Sequence, residues 1–219
     1  VTYSTLLVPY GKRSFLTLRD GTKVWINSGT EVRFPVNMEG KERSIYVDGE
    51  IYIEVAKDKE RPFYVHTSGF DVRVYGTKFN VTSYKADKEK SVVLVEGSVS
   101  VCSKEETKEK EAKEIFLHPD QMYHTTNRGP MITHVNALQY ITWKDGIWQF
   151  TSESLESIAL RLSRYYGVDI HCDEKTAVKS CTGKLILFDD VDKTLRIIEE
   201  IFGVRYETNQ NEIIISMNP

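Results

Sequence analysis

The sequence predicts a mainly β plus α+β protein: an antiparallel all-β N-terminal domain, residues 1–137, followed by a small βαβ-βαβ domain, residues 138–219. Three observations carry this. Short alternating runs broken by Asp-Gly or Glu-Gly fill the first part, as expected where tight turns that accept positive φ join antiparallel strands. No apolar stripe at helical spacing precedes about Glu153. Beyond it, two helix-to-strand units follow one another as an internal repeat.

In chain order, Leu16-Thr17-Leu18-Arg19 leads through Asp20-Gly21 into Thr22-Lys23-Val24-Trp25-Ile26, a predicted hairpin. The same pattern predicts hairpins at Asp48-Gly49, between residues 44–47 and 50–55, and at Glu96-Gly97, between residues 92–95 and 98–101. Residues 71–75 and 79–82 read as further strands. KEETKEKEAKE, residues 104–114, has no hydrophobic face and reads as a solvated loop or frayed helix. Strand signals resume at residues 115–117 and 122–124. Asn127-Arg128-Gly129-Pro130 then breaks the pattern, and the domain junction is expected at Ala137-Leu138.

In the first helical unit Leu155, Ile158, Ala159, Leu162 and Tyr165 share one face, with Ser152 the expected N-cap and Gly167 the helix stop. In the second, Val191, Leu195, Ile198 and Phe202 repeat the stripe behind Asp189 or Asp190, with Gly203 as stop. Each helix is preceded by a strand, residues 146–150 and 182–187, and leaves through Gly-Val into another. A final hairpin through residues 209–211 adds Glu212, Ile213, Ile214, Ile215 and Ser216.

Charge and motifs exclude several classes. A net charge of −3, with both signs interleaved, gives no field for nucleic acid or anionic lipid. No run approaches the roughly 20 apolar residues of a membrane-spanning helix. A start at Val1 without an initiating Met reads as a piece of a longer protein, whose anchor would lie elsewhere. His66, His118, His124, His134 and His171 are scattered without ligand spacing, so no metal is expected. The absence of P-loop, G-x-G-x-x-G and G-x-S-x-G motifs leaves no cofactor or catalytic residue to name.

Glu50 and Glu54 are a conceivable acid and base of a glycosidase. Their shared strand face, interleaved with Tyr52 and opposed to Ile51, Ile53 and Val55, instead suits a polar sheet surface. Trp25, Trp143 and Trp148 read as core in preference to a sugar platform. Cys172 and Cys181 flank a short connection between predicted strands; an oxidising compartment would be able to join them, and two unpaired core thiols fit the same spacing.

Several stretches resemble the FecR family of transmembrane anti-sigma factors. LTLRDGTKVWINSGTEVRFP, residues 16–35, is similar to the family's opening block. RSIYVDGEIYIEV at residues 43–55, RPFYV at 61–65, YGTKFNV at 75–81 and LVEGSV at 94–99 follow in the family's order. Ile51 and Ile53 replace more usual aromatics, and Ser154 a helix-start proline. The C-terminal part resembles the domain appended in Bacteroides-type members, itself similar to the short signalling module of secretins and TonB-dependent receptors.

The resemblance implies a periplasmic, non-enzymatic sensor anchored in the inner membrane through a segment outside this sequence. It would receive a signal from the signalling domain of a TonB-dependent outer-membrane receptor. Through a missing cytoplasmic region it would control an extracytoplasmic-function sigma factor. The residues expected to meet the receptor are Glu212, Ile213, Ile214, Ile215 and Ser216, as a last strand at a sheet edge open to strand addition. The competing reading is a carbohydrate-binding module of a cell-envelope protein, which requires exposed aromatics beside a groove. A secretin-like assembly role, suggested by the C-terminal part alone, leaves the β domain unexplained.

Overall fold

The computed structural model describes residues 1–104, 114–126, 129–188, 190–210 and 212–218. The charged run at 105–113, Asn127, Arg128, Asp189 and Asn211 therefore lie outside the described residues. The chain divides into two compact units: Val1–Val8 with Arg13–Ile141, and Pro9–Lys12 with Thr142–Pro219. A 3-10 helix, Ala137–Asp145, occupies the expected junction.

The first unit is all β, as its alternation predicts. Its strands are β1 (Tyr3–Val8), β2 (Ser14–Thr17), β3 (Lys23–Ile26), β4 (Thr30–Pro35), β5 (Arg43–Glu54), β6 (Phe63–His66), β7 (Phe70–Val74), β8 (Lys78–Ser83), β9 (Ser91–Glu96), β10 (Val99–Ser103), β11 (Glu114–Leu117), β12 (Gln121–Thr126) and β13 (Gly129–His134). They form one 13-stranded sheet, curled about β5. The first half of β5 pairs with β4 and, in parallel, with β6. Its second half pairs with β3 and β8. Period-2 side chains of both halves, Ile45 and Val47, then Ile51 and Ile53, face one core with Phe63, Phe70, Phe79 and Leu94. Each such burial contributes about 1.5–3 kcal/mol.

Of the three turn signals, only Asp20-Gly21 makes a hairpin, joining β2 to β3. At Asp48-Gly49 the strand does not reverse: β5 runs on unbroken for 12 residues. At Glu96-Gly97 the chain changes partners, with β9 between β8 and β12 and β10 between β7 and β11. Local turn chemistry is the same in all three cases. Long-range pairing decides whether the positive-φ glycine closes a hairpin or carries the chain around a corner of the sheet.

The second unit contains β14 (Ile147–Ser154), α1 (Leu155–Tyr166), β15 (Asp169–Cys172), the single turn α2 (Glu174–Ala177), β16 (Ser180–Ile186), α3 (Val191–Phe202), β17 (Val204–Asn209) and β18 (Glu212–Met217). The repeat is real, but each unit divides between two sheets. The entry strands β14 and β16 pair antiparallel, whereas the exit strands β15 and β17 flank β18. Gly167 and Gly203 stop the helices in the left-handed conformation, at φ 71 and 60. Asp190 caps α3. The α1 cap is Ser154, not Ser152: a bulge after Phe150 carries β14 two residues further, and the Ser154 side chain accepts from the Ser157 amide at 3.2 Å. Ser154→Ala should cost about 1 kcal/mol, measured by urea unfolding, while Ser152→Ala leaves that cap intact. Gly11 belongs to this unit, its amide donating to the Arg164 carbonyl at 2.9 Å.

Candidate functional site

The last strand is not an edge. β18 is the middle strand of its sheet, paired in parallel with β15 from Glu212 to Ile215 and antiparallel with β17 along its whole length. Its backbone is engaged on both sides, so it has no free ladder for an incoming strand. The expectation of strand addition at Glu212, Ile213, Ile214, Ile215 and Ser216 is corrected on this point. The misplacement has a physical cause. The strand that comes last in the chain inserts between two exit strands, parallel to β15, which follows α1, and antiparallel to β17, which precedes it.

Parity then separates the five residues. Ile213 and Ile215 are buried under the helices with Ile170 and Val204. Glu212, Ile214 and Ser216 lie on the opposite face, in register with Asp169, His171, Arg205, Glu207 and Asn209. Arg205 Nε donates to Ser216 Oγ at 3.2 Å, and the Arg205 guanidinium lies 3.7 Å from Glu207. β17 is one of the two outer strands of this sheet, β15 being the other, and its Arg205, Glu207, Thr208 and Asn209 are exposed.

Strand pairing also unites residues that spacing leaves apart. His171 lies with Nε2 3.2 Å from Glu212 Oε1 and Nδ1 3.8 Å from Asp169 Oδ1. These three groups are close enough to share an ion. Yet the two carboxylates address opposite nitrogens of one imidazole, and only one of those nitrogens can ligate a given cation. As arranged, the cluster is one imidazole held between two carboxylates. Asp169 and His171 are two apart on a predicted strand, but nothing in the sequence shows that Glu212 pairs beside them.

In the first unit Glu50 accepts from Asn27 at 2.7 Å and from Asn80 and Thr82 at 3.1 Å. Glu54 accepts from the Tyr52 hydroxyl at 3.0 Å. Burial, followed by that bond and the Glu54 charge, pushes the Tyr52 phenol above its ordinary range. Four residues of strand separate the two glutamates by about 13 Å, wider than the roughly 5–9.5 Å of glycosidase carboxylate pairs.

Trp143 and Trp148 are buried, and Trp25 is half-buried between Phe15 and Tyr52 at 58° and 42°. Elsewhere Arg33 lies over the rings of Tyr3 and Tyr46, and Tyr46 stacks on His66. With two of the three tryptophans buried and the third packed between neighbouring rings, these tryptophans form no coplanar exposed platform of the kind the carbohydrate reading requires.

A buried ionic network lies beneath the predicted Asp20-Gly21 turn. Arg43, 1% exposed, donates to Asp20 at 2.8 Å and to the carbonyls of Ala56 and Arg61 at 2.9 Å. Asp20 also accepts from the Thr22 amide and hydroxyl.

Residues 4–100 match the family described as FecR protein, and residues 147–215 match the family described as FecR, C-terminal. The chain belongs to the FecR family. Two crystal structures from Parabacteroides distasonis ATCC 8503, at 2.50 and 1.65 Å resolution, are each described provisionally as an anti-sigma factor and are similar to it from end to end. The first shares 25% identity over 100% of both chains, with a TM-score of 0.89. The second shares 26% over 99% of this chain and 100% of its own, with the same score. No curated protein matches the chain. Asp20, Thr22, Arg43, Gly49 and Glu50, all within the FecR match, are engaged in architecture: a buried ion pair, a sheet corner and a saturated carboxylate. Among the described residues, no helix of this FecR chain is long and apolar enough to cross a membrane.

Proposed function

We propose that this FecR chain is the periplasmic sensor region of a transmembrane anti-sigma factor, receiving a signal from a TonB-dependent outer-membrane receptor and controlling an extracytoplasmic-function sigma factor. The observation that carries the reading is the end-to-end likeness, at a TM-score of 0.89, to proteins described as anti-sigma factors. The two consecutive FecR matches, spanning both units, support it further. The sigma factor would be held by a part of the protein outside this sequence. Such a sensor needs only a contact that favours one of its states, and no chemistry.

The receptor contact is placed on the C-terminal unit, which the sequence likens to secretin and TonB-receptor signalling modules. With β18 internal, strand addition falls to one of the two outer strands, and we assign it to β17, the longer of them, while Glu212, Ile214 and Ser216 contribute through side chains on the adjoining face. Calorimetric titration with the signalling domain of the receptor encoded beside this chain should give saturable binding. The Arg205→Glu, Glu207→Lys double variant should bind about tenfold or more weakly with its circular dichroism unchanged. Absence of binding by the native chain would overturn the receptor reading; unchanged affinity of the double variant would move the contact off β17.

A further inference from the structure

We infer that the free edge of β1 is a self-association site, where a second copy of this chain pairs antiparallel about a two-fold axis through Thr5. The proposal concerns the first unit alone and does not depend on which partner the protein senses.

Register with β4 decides which backbone groups of β1 are free. Tyr3 lies opposite Pro35, which has no N–H to donate, and the Val36 amide donates to the Thr2 carbonyl at 2.9 Å. Thr2, Ser4, Leu6 and Val8 therefore make the hydrogen-bonded pairs with β4. The amides and carbonyls of Tyr3, Thr5 and Leu7 point to the other side, where, among the described residues, no strand pairs with β1.

Other edges among the described residues are short, kinked or charged, devices that keep strand edges from pairing with one another. β2, β11 and β15 are four residues long. β13 carries Pro130, and β14 is broken by its bulge. β16 carries Lys184, and β17 carries Arg205 and Glu207. β1, YSTLLV, runs for six residues with no charge, proline or bulge. Its edge is open to a partner.

The side chains say which partner. On the inner face Val8 belongs to the core and Leu6 packs against it. The outer row is Tyr3, Thr5 and Leu7, with Tyr3 39% and Leu7 65% exposed. The two exposed apolar side chains stand at equal distances on either side of Thr5. A two-fold axis through Thr5 sets Tyr3 opposite the partner's Leu7, and Leu7 opposite the partner's Tyr3, so each covers the other. The same axis brings every free amide and carbonyl of Tyr3, Thr5 and Leu7 against its complement, because residues of equal parity meet in hydrogen-bonded pairs. Like charges are not forced together: Arg33, opposite Thr5 on β4, would lie three strand spacings, about 14 Å, from its copy. One added strand buries less than the roughly 1,200–2,000 Å² of stable complexes. The dimer is therefore weak, with a dissociation constant on the order of 100 µM.

Sedimentation equilibrium of the whole chain through that concentration range should show the mass rising from one copy toward two. Thr5→Pro removes an amide that β4 does not use, so it should keep the native circular dichroism and weaken association about tenfold or more. Thr5→Cys supplies a second reading. Opposed hydrogen-bonded residues have Cα atoms about 5.5 Å apart, within reach of a disulfide. Mild oxidation should link two copies at that position, identified by peptide mapping apart from any link through the native cysteines. Leu7→Cys should not link to itself, since the two copies of that position stand about 13 Å apart along the strands. A chain that stays monomeric throughout the range, association that Thr5→Pro leaves unchanged, or cross-linking no greater at Thr5→Cys than at Leu7→Cys would each overturn the proposal.

Discussion

Arg43→Ala is expected to destabilise the protein by about 3–5 kcal/mol, the range for removing one partner of a buried ion pair. Arg43 and Asp20 have side chains 1% and 4% exposed, so water cannot replace the lost guanidinium. Asp20 would keep only its bonds from Thr22, and the carbonyls of Ala56 and Arg61 would each lose a donor. The network is also a clamp. Thr22 Oγ1, held by Asp20, accepts from the Ala56 amide at 3.1 Å, so one cluster fastens the β2–β3 turn, the start of β5 and the segment after it. Urea unfolding of Arg43→Ala, Asp20→Ala and the double variant checks this. Each single change should lose several kcal/mol, and the double change should cost well below their sum, because the orphaned charge is gone. Additive losses would mean that the two groups do not depend on one another.

The same residues show what the sequence discloses and what it withholds. Asp20-Gly21 announces its turn locally, and the hairpin forms as expected. The helices are nearly as legible: their stripes and glycine stops are properties of neighbours within a few positions, whereas the α3 cap is narrowed only to Asp189 or Asp190 and the α1 cap falls two residues beyond Ser152, at Ser154. What the sequence does not disclose is long-range pairing. Arg43 reads as one residue of an alternating strand, and nothing nearby says that it is buried against Asp20, 23 positions away. The β18 error is of the same kind. Being last in the chain says nothing about which strands flank it, and insertion between β15 and β17 removed the edge on which the contact had rested. His171 and Glu212 meet for the same reason, through a parallel register that periodicity cannot reveal.

Gly49→Ala should be about as damaging as the loss of Arg43, for a different reason. Gly49 holds φ at 137°, where L side chains are strained, at the point where β5 passes from the β4 and β6 ladders to those of β3 and β8. A Cβ there would stand 2.3 Å from Thr30 Oγ1 and 2.6 Å from Thr30 Cβ and Cγ2. Thr30 cannot retreat: it is fully buried, and its hydroxyl accepts from the Glu50 amide at 3.0 Å. Backbone strain of about 1–3 kcal/mol and overpacking of about 1–3 kcal/mol together predict a loss of about 2–6 kcal/mol by urea unfolding. Thr30→Gly placed in the Gly49→Ala background separates the two. It removes the clash and should recover the packing part, whereas the strain part persists because φ is set by β5 crossing between ladders. Full recovery would show that Gly49 is small only to make room for Thr30. Partial recovery would show that the glycine is required by the corner itself, the one place where an Asp-Gly pair lets a strand continue instead of turning back.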